Sequence, residues 1–578
     1  MLKSETDKQL QEPNEEQWLD HKETYCDERI QPVPERFNQV SELLDNHIMS
    51  GRGKRVAIHY VNPTTWNIEQ ITYSRLYENV NRTGNALRDK TGLRRGDRIG
   101  LLLLDSPYFH YLFLGAMKIG AVPVPMNTFE SKDTIKKMVS KGGMKGLAVS
   151  NTLLNRVDSI EKEVPSLSSV VVCREDGMQD YSKEHDEGDT YASFKDILEN
   201  SSSELEAEVT SKNEVAFWFY TSGSTGEPKG VVHAHHDIHY AAHAMYRHIV
   251  GMTEKDVVFS AAKLFFSAGL GPGLYGPLSF GASSVLYPDR ISAKTCYDII
   301  SRAKPSIFLA VPTVFAKMLS LTKDSDFQSD ISSLRLCLTG GEPLPPPVYE
   351  EWMKKMKVDL VECVGAAELT HIYLSNRIGN IRPGSGGEVN PGFQVKIVDE
   401  KGVAVPTGTI GEFLVRGDSS LLCYWNDQEK TRNTILEHGW IRTGDLFKVD
   451  EDGFYYFCGR YDYAFKASGM WISPVKIESL LHQHPKVKEC CVVPFLHNDG
   501  ITVPVAFIVK NTSEENERHR GTQSKDNESE EEMLASQLKE YLNNSLQRYE
   551  IPREFRFIDS LPKTTVDKID RKKLMRML

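Results

Sequence analysis

Short apolar runs alternate along the chain with segments whose apolar positions recur at helical spacing. The runs over 98–104, 146–150, 169–173, 283–287 and 306–311 predict buried strands, and the patterns over 73–90 and 132–141 predict amphipathic helices. Such alternation implies a layered α/β architecture. From about Gly387 the pattern changes to short strands with turns, over 393–398, 411–416 and 453–457, which predicts a β-rich subdomain. A second change falls near Gly459-Arg460-Tyr461-Asp462. Beyond it a helix over 474–483, strands over 487–494 and 503–510, a helix over 532–546 and a basic tail are expected. The stretch 511–531 has no large apolar residue, cannot bury a core, and reads as a disordered acidic insertion. The expected organisation is a polar extension over 1–34, a large domain over 35–460 and a small mobile α+β domain over 461–578.

With 578 residues, the chain is too long for a single core. A hydrophobic content of 40% with 26% charged residues fits a soluble globular protein. The net charge of −11 argues against a nucleic-acid partner, so an anionic ligand must meet locally gathered lysines and arginines. The most apolar stretch, 99–124, is interrupted by Asp105, His110 and Lys118 and predicts a strand followed by a helix, with no transmembrane segment. The polar start, the absence of a terminal address in Arg576-Met577-Leu578 and nine cysteines without a CxxC spacing point to reduced thiols in the cytoplasm. A homodimer is compatible with all of this.

The chemistry concentrates first in Tyr220-Thr221-Ser222-Gly223-Ser224-Thr225-Gly226-Glu227-Pro228-Lys229-Gly230, directly after the apolar run 215–219. Glycines let the backbone approach an anion and aim its N–H groups at it. Thr221, Ser222, Ser224 and Thr225 add donors, and Lys229 adds positive charge. Strand, hydroxyl-rich loop and lysine together make a polyphosphate cradle. It is not a Walker A loop, because Gly230 follows the lysine.

This segment resembles the signature of the adenylate-forming superfamily of acyl- and aryl-CoA synthetases, luciferases and peptide-synthetase adenylation domains. Three further elements follow in the order the resemblance requires. In Thr443-Gly444-Asp445 with Gly459-Arg460, the resemblance makes Asp445 the acceptor of both ribose hydroxyls and Arg460 a supporting contact. In Gly365-Ala366-Ala367-Glu368, it makes Glu368 a Mg²⁺ ligand beside the phosphates, together with Thr225. The family's threonine is replaced there by Ala367, which removes one phosphate donor. Thr339-Gly340-Gly341-Glu342-Pro343 resembles the adenine-side loop, with Gly341, Glu342 and Pro343 as its nucleotide-binding residues. Pro562-Lys563-Thr564-Thr565-Val566-Asp567-Lys568 resembles the terminal lysine element, with Asp567 where glycine is usual and Lys568 as the adenylation lysine.

The passages 261–266, 371–377 and 466–474 are similar to the benzoate-CoA ligase branch. That likeness implies an acid pocket lined by Ser267, Ala268, Gly365, His371 and Ile372. Ala268 stands where the branch has tyrosine, implying room for a larger acid than benzoate.

The resemblance implies ATP, Mg²⁺ and coenzyme A as cofactors and a small carboxylic acid, aromatic or of medium size, as substrate. The acid would first become an acyl-adenylate and then a CoA thioester. Between the steps the small domain would turn about Asp462, withdraw Lys568 and bring Lys466 and Gly469 to the site. Two alternatives stay open: loading of a carrier-protein thiol, and a catalytically weakened nucleotide-binding relative.

Two patterns compete with this reading. His233, His235, His236, His239, His243 and His248 are crowded, and 235, 239 and 243 would share one helical face. No cysteine or carboxylate cluster accompanies them in the sequence, so a metal site is the weaker reading. Gly271-Pro272-Gly273-Leu274-Tyr275-Gly276 satisfies GxGxxG but lacks the flanking βαβ unit of a dinucleotide site.

Overall fold

A computed structural model describes residues 27–175, 191–222, 227–323, 329–461, 465–467, 470–496, 502–511, 524–563 and 569–578. The α/β expectation holds. Six parallel strands form the middle of a nine-stranded sheet, in the order Val56–Val61, Ser283–Leu286, Val257–Ser260, Ile307–Ala310, Leu336–Gly340 and Leu360–Gly365. Antiparallel strands close it at both edges. A second sheet of five parallel strands is built on Arg98–Leu102, Gly146–Ser150 and Ser169–Cys173. Strands of a parallel sheet are covered on both faces, which is why they read as continuous apolar runs. Gly146–Ser150 is buried at every position.

The helices Tyr73–Asp89 and Lys132–Lys141 form where the apolar spacing places them. Each is capped by a hydroxyl, Thr72 accepting from the Arg75 N–H and Ser131 from the Thr134 N–H. Residues 99–124 fold as the expected strand and helix, the helix being Pro107–Lys118, and then enter a further strand, Val122–Pro125, that was not expected. Among the described residues no helix is long and apolar enough to cross a membrane.

The β-rich part is an antiparallel sheet of Phe393–Val398, Gly411–Gly417, Ile441–Val449 and Tyr455–Arg460. Its last strand begins later than the turn glycine Gly453 suggested and runs through Gly459 to Arg460. Towards the C-terminus, Val487–Leu496 and Thr502–Lys510 pair antiparallel, and Glu554–Phe557 joins in parallel. The helices Pro474–Leu481 and Ser524–Asn543 pack there around Leu534, Leu538 and Leu542.

Two expectations are corrected. The stretch 511–531 is not unstructured throughout, because helix Ser524–Asn543 takes in its C-terminal end. Glutamate is a good helix former, and an acidic run at a helix start is favoured by the helix dipole, so lack of apolar residues did not exclude a helix. The polar extension does not reach residue 34 as an independent tail. From Asp27 onward the chain packs on the body: Ile30 joins the cluster of Tyr240, Tyr373 and Phe393, and the Gly392 N–H donates to Asp27 Oδ2 at 2.6 Å. The bond from the Arg29 guanidinium, above all, holds the Asp27 carboxyl well below the usual range.

Candidate active site

The phosphate-loop motif folds as a hairpin. Val215–Ser222 and Pro228–Ala234 pair antiparallel, with Thr221 opposite Lys229. Gly223, Ser224, Thr225 and Gly226 lie outside the described residues, as does the side chain of Ser222. Glu227 at the return is held between Lys137 and Lys141 at 3.0 and 2.9 Å.

The hairpin reaches the Gly365–Glu368 turn through His233. This ring donates from Nε2 to the Ala367 carbonyl oxygen at 2.8 Å, and its Nδ1 lies 2.8 Å from Asp237 Oδ2. The Ala367 backbone is therefore fixed although its side chain offers no donor. Next to it, Glu368 Oε1 accepts the Tyr424 hydroxyl at 2.6 Å, and no described residue bonds its other oxygen. A half-buried carboxylate with one oxygen available fits a cation ligand. Burial first, then the Glu368 charge, pushes the Tyr424 hydroxyl far above the ordinary phenol range, so it stays a donor.

Asp445 and Arg460 face each other across two strands, and Arg460 Nη1 donates to Asp445 Oδ1 at 2.8 Å. Gly444, with φ of 72°, turns the backbone so that the Thr443 hydroxyl accepts from the Asp445 N–H at 3.1 Å. Tyr373 is fully buried between these groups, and its hydroxyl feels the charges of Asp445, Arg460 and Glu368. Glu368, Asp445 and Arg460, 92 positions apart at their extremes, thus converge on one corner.

Gly341, Glu342 and Pro343 follow the strand Leu336–Gly340. Beside them Glu362 is buried, accepts the Leu344 N–H on Oε1 at 3.0 Å, and leaves Oε2 without a partner among the described residues. Thr339 Oγ1, on the paired position of the neighbouring strand, is likewise unpartnered. Burial pushes the Glu362 carboxyl up to about 8. Both groups lie near the C-terminal ends of parallel strands, where open α/β sheets bind ligands.

A dry wall forms around His371. Its Nε2 lies 2.8 Å from the Tyr246 hydroxyl, the two rings stack at 5.5 Å, and Tyr275 meets His371 edge-on. Burial lowers His371 to about 3, so the imidazole is neutral. Gly271 makes the approach feasible, because a Cβ there would stand 2.7 Å from the His371 ring. The GxGxxG pattern is therefore helix packing and not a nucleotide turn. Gly365 lies opposite Ile372 and is exposed, while Ser267 and Ala268 open the helical run that leads into Gly271. Lys568, Gly469 and Asp462 lie outside the described residues; Lys466 is described only as backbone, opposite Trp471.

Tyr424, Tyr246 and Glu362 carry no local motif, and sequence reasoning missed them; Thr339 opens the adenine-side loop and Tyr373 lies in the passage 371–377, with no role assigned to either from the sequence. Only Glu362 left a signal, as a charged residue inside the run 360–365.

The sequence pattern of AMP-binding enzymes matches residues 46–425, and that of the AMP-binding enzyme C-terminal domain matches 476–568. The chain is 36% identical to a benzoate–CoA ligase of Thauera aromatica, over 94% of this chain and 96% of that one. A crystal structure of an anthranilate CoA ligase in complex with anthranoyl-AMP superposes with a TM-score of 0.81 at 35% identity, covering 94% and 98%. A benzoate CoA ligase from Burkholderia xenovorans LB400 gives 0.79 at 32%, covering 93% and 100%.

Proposed function

The chain belongs to the AMP-binding enzyme family, and on that premise we propose that it is an AMP-forming ligase joining an aromatic carboxylic acid to coenzyme A. The observation that carries the aromatic reading is the neutral His371–Tyr246 stack beside Gly365. The stack is buried and Gly365 beside it is exposed, so it backs the acid site with a rigid, uncharged support that demands no charge on the acid's ring.

In the first half-reaction the carboxylate attacks the α-phosphorus of ATP and pyrophosphate leaves. Thr221, Lys229 and the Gly223–Gly226 loop hold the leaving phosphates. Asp445 accepts the ribose hydroxyls, oriented by Arg460. Gly341, Glu342 and Pro343 border the base, and Lys568 neutralises charge where carboxylate and α-phosphate meet. Glu368 and Thr225 would hold Mg²⁺, which supplies phosphate charge neutralisation when bound. In the second half-reaction the CoA sulfur attacks the acyl carbonyl carbon and AMP departs. Lys466 and Gly469 serve this step after rotation at Asp462. Ser267, Ala268, Gly365, His371 and Ile372 border the acid.

Acid-dependent ATP–pyrophosphate exchange across benzoates, phenylalkanoates and linear acids tests this. Exchange with aromatic acids, converted by added CoA into net AMP release, is the expected result. Exchange that CoA leaves unchanged would contradict CoA as the acceptor, and exchange only with linear acids would contradict the aryl wall.

A further inference from the structure

Glu42, His239 and His243 meet away from the residues placed in the active site, and Glu42 supplies the carboxylate that the histidine run lacks in the sequence. Glu42 lies in the wide π turn Ser41–Asp45, His239 in the helix Asp237–Ala242, and His243 at the start of the π turn His243–Arg247. Their donor atoms all lie within 4.8 Å of one another. His239 Nδ1 is 2.9 Å from both Glu42 oxygens, and His243 Nε2 is 3.9 Å from Oε1. The other nitrogen of His239, Nε2, stands 2.8 Å from the Gln31 carbonyl oxygen. A carbonyl only accepts, so Nε2 carries the hydrogen and the Nδ1 position faces the carboxylate. A bare lone pair there would oppose the carboxylate oxygens, so a positive charge belongs between them. Phe37 and Phe280 stand edge-on to the two rings and confine them. The side chains keep 19%, 9% and 25% of their exposure, so an ion and a water can reach them.

We propose that Glu42, His239 and His243 bind a divalent transition metal of the zinc class, with water as the remaining ligand. Two imidazoles and one carboxylate suit zinc and its neighbours, whereas magnesium and calcium prefer all-oxygen sites. Tetrahedral donors about 2.0–2.2 Å from zinc stand roughly 3.3–3.6 Å apart, which lies between the 2.9 and 3.9 Å separations found. The Nε2–H bond to Gln31 is the kind of outer bond that fixes a metal-binding histidine. The ion would tie the segment around Gln31 and Glu42 to the helix carrying the histidines.

The test uses the full-length chain stripped with EDTA, then titrated with ZnCl₂ and desalted for metal analysis. The wild type should keep one zinc per chain and melt at higher temperature with zinc. His243→Ala and Glu42→Gln should each lose at least about tenfold in affinity and lose the thermal response. Cobalt should give the visible bands of a four-coordinate site in the wild type alone. Should His243→Ala be unstable without zinc, Glu42→Gln decides. Equal zinc retention and equal thermal response in the wild type and Glu42→Gln would overturn the site and leave a proton bridging His239 and Glu42.

Discussion

The corner around Glu368, Asp445 and Arg460 differs in kind from the wall around His371. The corner keeps charge at the surface: the Arg460 side chain is 48% exposed, and Glu368 leaves one oxygen unbonded by any described residue. The wall holds neutral groups away from water, with His371, Tyr246 and Tyr275 all buried. Only a few residues separate Glu368 from His371 in the chain. One turn thus serves two environments: a corner suited to a part shared by every substrate, and a wall suited to the part that varies. Changes at the corner should alter rate for all acids alike, and changes at the wall should reorder the acids.

The largest effect is expected at Lys568. Lys568→Ala should slow adenylate formation by about 10²–10³-fold for every acid, while thioester formation from supplied adenylate persists. Equal loss in both half-reactions would place the lysine elsewhere.

Ala268→Tyr addresses the wall. The wild type should prefer acids bulkier than benzoate in kcat/KM, and the variant should move preference towards benzoate by roughly 1–3 kcal/mol. A uniform loss across acids would break the division between wall and corner.

Glu362, a buried carboxyl with one oxygen unpartnered among the described residues, sharpens the contrast through stability. Its folded pKa, about 8, is raised above the unfolded value of 4.5. The folded state therefore binds the extra proton between those values, and the stability from that proton is lost as pH rises from about 4.5 to about 8. Urea unfolding at pH 5 and pH 8 should show Glu362→Gln falling less than the wild type, by roughly 1–3 kcal/mol. Parallel falls in both proteins would mean that the carboxyl is not dry.

The smallest effect is expected at Ala367. Ala367→Thr should restore a phosphate donor and raise the adenylation rate up to about tenfold, equivalent to ~1.4 kcal/mol. An unchanged rate for all acids would show that the backbone fixed by His233 already suffices.

The corner was largely legible in the sequence, because Asp445 and Arg460 sit on one hairpin and Glu368 in one short turn, each within a contiguous motif. Parallel strands were legible because burial on both faces leaves unbroken apolar runs. What pairs across long separations was not. Tyr424 reaches Glu368 from 56 positions away, and Glu42 meets His239 across 197. The missing carboxylate of the histidine cluster was therefore invisible until folding brought it in. The helix Ser524–Asn543 was missed at its start because a run of glutamates carries no apolar period, although glutamate favours helix.

The central claim is tested most directly by one stoichiometry. The purified chain, given ATP, Mg²⁺, coenzyme A and an aromatic acid, should yield one AMP and one pyrophosphate for every aroyl-CoA thioester detected by mass spectrometry. ADP and phosphate as products, or no thioester from any aromatic acid despite bound ATP, would contradict it.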